Sequence, residues 1–193
     1  MNKQTTTVLL CGVGGQGTIL AADLLARACL GAGLDVKVSE IHGMSQRGGS
    51  VTTVVRYGEK VNSMVSDLGS ADCIVAFETT EALRNLPSLK CDGSMVVNDL
   101  AVQPLPVLTG KAQMPARASE DLKAAGALLV PAADIAASVG NPKTSNVVLI
   151  GALSARLSIP VEVWEEAIAG RVPPKTIEAN IAAFRAGRDY VLS

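Results

Sequence analysis

The chain has 193 residues, of which 48% are hydrophobic and 18% charged, and its formal net charge is −1. This composition is typical of one folded globular domain, and it excludes a disordered chain and a basic nucleic-acid-binding surface. No apolar run approaches the roughly 20 residues of a membrane-spanning helix, and the N-terminus lacks a signal-peptide pattern. We therefore expect a cytoplasmic protein with no membrane or nucleic-acid partner.

The cysteines are too dispersed to predict a metal centre. Cys11, Cys29, Cys73 and Cys91 form no C-x-x-C pair, and His42 is the single histidine in the sequence. Closed zinc sites and iron–sulfur clusters need closely spaced ligands of these types. We expect reduced thiols and no metal site held by this chain alone.

The N-terminal segment predicts the start of a Rossmann-like fold. The apolar run at residues 5–11 predicts a buried strand, and the helical periodicity at 18–33 predicts a helix ended by glycines. The alternating segment 35–40 predicts a second strand. These elements form a strand–loop–helix–strand unit.

The pattern of a dinucleotide-binding fold then breaks. Residues 41–50 are too short for a loop and a helix, and they lead directly into a β-rich run at 51–57. A turn signal at Gly58 followed by residues 60–66 predicts a strand that returns to pair with 51–57. The sequence therefore predicts a mixed sheet with a hairpin.

The rest of the chain resumes the alternation of strands and helices and becomes helical in its last third. The predicted elements are strands at 71–77, 94–99 and 127–132, helices at 79–87 (with a threonine cap) and 120–126, an extended connection at 100–117, and helices within 144–157, 160–170 and 173–191. We predict an α/β fold, a single domain over residues 1–193 with a mixed β-sheet flanked by helices.

The stretch CGVGGQGTIL, residues 11–20, is the first candidate site. Its candidate residues are Gly12, Gly14, Gly15, Gln16 and Gly17. Glycines allow a sharp turn and close approach of the backbone, and the first N–H groups of the following helix attract an anion. The Gln16 amide offers a donor and an acceptor beside that loop.

An ATP-binding loop is excluded because Thr18 stands where a phosphate-binding lysine is needed. Three interpretations of this glycine loop stay open from the residues alone: NAD binding, a simple tight turn and an anion site. NAD binding is supported by Glu40, which ends the second strand where a ribose-binding acid lies, but the second helix of that fold is missing. A simple tight turn and an anion site remain as the other two.

A second polar loop follows the second predicted strand. Its candidate residues are His42, Ser45, Gln46, Arg47, Gly48 and Gly49. Because both loops follow strands of the same direction, we expect them at one edge of the sheet, where open α/β sheets bind ligands. Arg47 is suited to a phosphate or carboxylate, and it is the strongest single candidate.

Four segments together resemble a known family. GVGGQGTILAADLLARA, EIHGMSQRGGSV, SNVVLIGAL and ANIAAFRAG are similar to the gamma-type subunit of 2-oxoacid:ferredoxin oxidoreductases. The second segment looks most like the small (beta) subunit of the indolepyruvate-specific members. The resemblance covers nearly the whole chain.

The resemblance implies a subunit that is inactive alone and helps to form a CoA and substrate site, with Asn146 as a further candidate. It implies a large partner subunit that holds thiamine diphosphate, Mg²⁺ and [4Fe-4S] clusters, and ferredoxin as the electron acceptor, with no cofactor bound by this chain alone. A homodimer is a candidate state of the isolated chain. A stand-alone NAD(P)-binding protein and a purely structural assembly subunit are the alternatives.

Overall fold

A computed structural model of the chain describes residues 5–42 and 49–193. The strands are β1 (Thr6–Val13), β2 (Asp35–His42), β3 (Ser50–Gly58), β4 (Ala71–Ala76), β5 (Leu89–Asn98) and β6 (Leu128–Val130). The helices are α1 (Thr18–Gly31), α2 (Thr79–Asn85), α3 (Leu105–Leu108), α4 (Ala118–Ala124), α5 (Ala132–Ser138), α6 (Ser145–Ser154), α7 (Val161–Ala169) and α8 (Ile177–Leu192).

The strands form one mixed sheet in the order β2-β3-β1-β4-β5-β6. Strands β1, β4, β5 and β6 run parallel, whereas β3 is antiparallel to both of its neighbours. The predicted α/β fold with a mixed sheet is confirmed. The Rossmann-like start differs from a dinucleotide-binding half, because β3 lies between β1 and β2.

The hairpin is formed by β2 and β3, so the returning strand predicted at residues 60–66 is wrong. Strand β3 already pairs with β1 on one side and β2 on the other, which leaves no free edge for a further strand. Side chains bind the backbone of this segment instead. The Val61 N–H donates to Asp35 Oδ2 at 2.7 Å, and Arg56 donates to the carbonyl of Val65 at 2.6 Å.

Several element boundaries also differ from the sequence prediction. Helix α1 ends at Gly31, because Gly33 adopts a left-handed φ of 77° and the chain turns there. Helix α2 is capped by the Glu78 side chain and not by a threonine. The segment 100–117 contains the short helix α3, and α5 follows β6 where no helix was predicted.

The core lies on both faces of the sheet. One face of the sheet is covered by α1, α5, α6, α7 and α8, and the strand side chains on that face include Val8, Leu10, Val55 and Val75. The other face is covered by α2 and α4, and its strand side chains include Leu9, Ile74 and Val97. The central strand β1 is buried on both sides, which explains its continuous apolar run.

The predicted helical C-terminal third is confirmed, and its centre is the crossing of α6 and α8. Every residue of α6 from Asn146 to Ser154 is buried. A Cβ added at Gly151 would lie 2.0 Å from the Phe184 carbonyl oxygen, and one at Gly187 would lie 2.0 Å from that of Val148. The two backbones therefore touch. Within the described residues, no helix has the length and apolar content needed to cross a membrane.

Candidate functional site

The glycine loop connects the end of β1 to the first turn of α1. Gly17 is the N-cap residue of α1 with φ 83°, and Gly15 has φ 105°. Both angles lie in the left-handed region that favours glycine. No side chain of residues 5–42 and 49–193 caps α1, and its first turn carries no acidic residue. Neither a capping side chain nor an acid in the first turn therefore compensates the positive end of this helix.

The Gln16 side chain folds back into the loop. Its Oε1 accepts a hydrogen bond from the Val13 N–H at 2.7 Å. The backbone N–H of Gln16 donates to the Val13 carbonyl at 3.1 Å. A Cβ at Gly12 would lie 2.6 Å from the same Oε1. The amide oxygen of Gln16 thus holds the turn, and the space it occupies explains the glycine at position 12.

Asn146, at the start of α6, contacts the loop across the fold. Its buried side chain places Nδ2 3.5 Å from the Gly17 carbonyl oxygen. A Cβ at Gly17 would lie 2.4 Å from Nδ2. The structure therefore brings Asn146 to the glycine loop, and the contact positions the backbone of that loop.

The second polar loop begins at the same edge of the sheet. Gly49 accepts a hydrogen bond from the Gly14 N–H at 2.9 Å, which joins the two loops directly. Ser45, Gln46, Arg47 and Gly48 and the side chain of His42 lie outside the described residues. The backbone placement of His42, opposite Val51 at the end of the β2–β3 hairpin, agrees with the expected edge.

A cavity of about 510 Å³ opens beside the glycine loop. Its lining residues are Gly14, Gly15, Gly17, Thr18, Ile19, Glu40 and Val51. The first turn of α1 and Glu40 thus line one space. This arrangement is able to hold an anionic group at the helix and a hydrogen-bond donor, such as a hydroxyl, at Glu40.

A pair of buried carboxylates beneath this edge was missed from the sequence. Glu78 caps α2 by accepting from the Thr80 N–H at 3.0 Å and from the Glu81 N–H. Glu81 accepts from the Ser50 hydroxyl at 2.6 Å and pairs with Arg84 at 2.9 Å. The stretch FETTEALR contains the signal, since an acid followed three residues later by another resembles a capping box.

These carboxylates fix the second loop at its exit and keep Cys11 protonated. Ser50 is the first residue of β3, so its bond to Glu81 anchors the end of the second loop on α2. Burial raises the pKa of the Cys11 thiol far above its usual range, and the charges of Glu81 and Glu78 raise it further. Cys11 is therefore a core residue and not a nucleophile.

The donor set of the described residues does not fit a metal ion or an iron–sulfur cluster. No group of three His, Cys, Asp or Glu side chains comes together within residues 5–42 and 49–193. Cys11, Cys29 and Cys73 are buried at separate places, and Cys91 is exposed.

Comparisons with known proteins agree on one family. The family model for pyruvate ferredoxin/flavodoxin oxidoreductase matches residues 7–190. Indolepyruvate oxidoreductase subunit IorB of Thermococcus kodakarensis is 42% identical, and its namesake from Pyrococcus horikoshii is 41% identical; each match covers 93% of both chains. A solved gamma subunit of a keto/oxoacid ferredoxin oxidoreductase from Geobacter sulfurreducens has the same fold, with a TM-score of 0.72 at 24% identity over 97% of this chain and 98% of that one.

Proposed function

Because the chain belongs to the pyruvate ferredoxin/flavodoxin oxidoreductase family, we propose that it is the small subunit of an indolepyruvate-type 2-oxoacid:ferredoxin oxidoreductase. The two relatives at 42% and 41% identity carry the indolepyruvate name, and the chain spans 93% of each. The reaction is the oxidative decarboxylation of an arylpyruvate to an acyl-CoA and CO2. A stand-alone NAD(P)-binding protein is not favoured, since β3 separates β1 from β2.

The proposed complex divides its chemistry between two chains. The thiamine diphosphate, Mg²⁺ and [4Fe-4S] clusters belong to a large partner subunit, which passes electrons to ferredoxin. The dispersed cysteines of the described residues do not fit such clusters. The small subunit then contributes binding and positioning, and it has no activity alone.

In this proposal the cavity beside the glycine loop receives an anionic group of CoA or of the 2-oxoacid. The observation that carries it is the uncapped N-terminus of α1 facing that cavity. Helix N-termini of this kind bind phosphate and carboxylate groups through backbone N–H donors. Glu40 lines the same cavity, so its carboxylate would accept from a hydroxyl of the ligand. Arg47, a candidate from the sequence, would supply the positive charge.

The test uses the complex reconstituted from this chain and its large subunit. We expect arylpyruvate-dependent ferredoxin reduction only when both chains are present. Arg47→Gln should raise the KM for CoA or for the arylpyruvate about tenfold, as expected for the loss of one charge-assisted contact. Arg117→Gln is the matched control, because Arg117 is an exposed arginine paired with Glu120 on α4. It should leave both Michaelis constants unchanged.

Two results would contradict the proposal. Full activity of the large subunit alone would remove the catalytic role of this chain. If Arg47→Gln assembles more weakly with the large subunit but keeps both Michaelis constants, the chain is a structural assembly subunit. Calorimetry of the isolated chain separates the NAD(P) alternative, which requires micromolar binding of NAD(H) or NADP(H) that is lost in Glu40→Ala.

A further inference from the structure

A second cavity lies at the opposite edge of the sheet. Its volume is about 560 Å³, and it is bordered by Thr6, the first residue of β1, and by Tyr57 near the end of β3. Since a strand rises about 3.3 Å per residue, the two ends of β1 are roughly 23 Å apart. This cavity is therefore separate from the one at the glycine loop. Its size falls within the range of about 300–1,000 Å³ that is common for small-molecule sites.

The wall of this second cavity is apolar with neutral hydroxyl groups. The apolar lining consists of Ala32, Leu34, Leu157, Ile159 and the ring of Tyr57, and the hydroxyls belong to Thr6, Ser94, Ser158 and Tyr57. Burial raises the pKa of Tyr57 to about 12 and that of Cys73, which also lines the cavity, to about 11. Both groups are therefore uncharged at neutral pH.

The two charged residues of the lining differ in their partners. Asp72 accepts a hydrogen bond from the Thr7 N–H at 2.7 Å and forms an ion pair with Lys90, so its charge is compensated. Arg156 is exposed just after α6, where its N–H donates to the Leu153 carbonyl at 2.9 Å. Among residues 5–42 and 49–193 its guanidinium has no carboxylate partner, and its charge acts on the Cys73 thiol of the same lining, whose pKa it lowers. The cavity thus carries one uncompensated positive charge.

We propose that the second cavity binds a small monocarboxylate with an apolar body. The carboxylate pairs with the guanidinium of Arg156, whose planar fork matches the two carboxylate oxygens. The apolar body packs against Leu34, Tyr57 and Ile159. A small apolar acid is complementary to a site with one cation and an apolar wall, whereas a nucleotide or polyphosphate would need more positive charge. This binding site is independent of the proposed function at the glycine loop.

The test is calorimetry of the full chain with phenylacetate as the probe. We expect saturable binding that Arg156→Gln weakens at least about tenfold, since one charge-assisted bidentate contact is removed. Arg117→Gln is the control for a change of net charge and should bind like the parent chain. Phenylacetamide, which has the same shape without the charge, should bind at least about tenfold more weakly than phenylacetate.

A second variant protects the test against a loss of folding. Ser158→Phe places a large side chain at an exposed position of the cavity lining and should block phenylacetate while thermal unfolding stays unchanged. Gln16→Glu, which adds a negative charge at the glycine loop, should leave phenylacetate binding unchanged. The proposal is overturned by an absence of saturable binding to the parent chain, by equal affinities of parent and Arg156→Gln, or by loss of binding in Gln16→Glu alone.

Discussion

Glycine is needed for different reasons in the glycine loop and at the crossing of α6 and α8. In the loop, Gly15 and Gly17 adopt left-handed backbone angles of 105° and 83° in φ. At the crossing, Gly151 and Gly187 lie within regular helices, and each is needed because the opposing backbone touches it. The first use is a property of the local chain. The second exists only after two distant helices have packed.

The two regions also differ in what they hold together. The crossing lies inside the larger apolar core beside Phe184, which stacks on Trp164 with ring centroids 5.9 Å apart. The loop lies at the sheet edge, where it is held by hydrogen bonds and by Asn146. Substitutions at the crossing should therefore affect global stability most, and those at the loop should combine a smaller cost with a change in binding.

The largest effect is expected at the helix crossing. Gly151→Ala should lower the free energy of unfolding by about 3 kcal/mol, because the new methyl group would meet the Phe184 carbonyl and push α8 away. For a chain of this size, the midpoint of thermal unfolding should fall by about 6–12 °C. Gly187→Ala should behave alike, since its methyl group would meet the Val148 carbonyl. Urea unfolding and calorimetry measure both.

Gly170→Ala is the matched control for the crossing. Gly170 follows α7 with φ −76°, which any residue adopts, and the nearest atom to an added Cβ is the Glu166 carbonyl oxygen at 3.3 Å. Its cost should stay below about 1 kcal/mol, because a shift of a few tenths of an ångström accommodates the added methyl group. Equal losses in Gly151→Ala and Gly170→Ala would show that the helices separate without penalty.

The next effect is expected at Gly17 in the glycine loop. Gly17→Ala should cost about 2 kcal/mol, from the strain of a left-handed alanine and from the clash with Asn146. Combining it with Asn146→Ala removes the clash, so the double variant should cost about 1 kcal/mol less than the sum of the single variants. Gly15→Ala should show the strain alone, because nothing lies within 4 Å of its added Cβ. Strict additivity would argue against the clash.

The same contrast explains what the sequence could predict. The strand–loop–helix start, the shared edge of the two polar loops and the helical last third depend on local periodicity and glycine position, and they were predicted. The place of β3 between β1 and β2 depends on pairing between distant segments, which periodicity does not contain. The close contact at Gly151 and the hydrogen bond from Ser50 to the buried Glu81 are likewise tertiary, and 31 residues separate Ser50 from Glu81.

A smaller effect is expected at the polar anchor of the second loop. Ser50→Ala removes the hydroxyl that donates to the buried Glu81 carboxylate, and it should lower the free energy of unfolding by about 1.5 kcal/mol. Ser138→Ala is the control, because that exposed hydroxyl donates only to the Ile135 carbonyl of its own helix. Urea unfolding should separate the two variants. Equal costs would mean that Glu81 finds another donor when Ser50 is lost.

The smallest effect is expected at Gln16, where stability and binding can be separated. Gln16→Ala should cost about 1 kcal/mol, because the Val13 N–H loses the side-chain oxygen at 2.7 Å that accepts from it. Gln16→Glu keeps an acceptor oxygen at that place and should unfold close to the parent chain in urea. In the reconstituted complex, however, the added negative charge beside the N-terminus of α1 should raise the KM of an anionic ligand bound there. A glutamate variant that is as unstable as the alanine variant would contradict the hydrogen-bond role. A stable glutamate variant with unchanged Michaelis constants would show that the glycine loop is only a turn. Glycine would then have a purely structural role in the loop, as it has at the helix crossing.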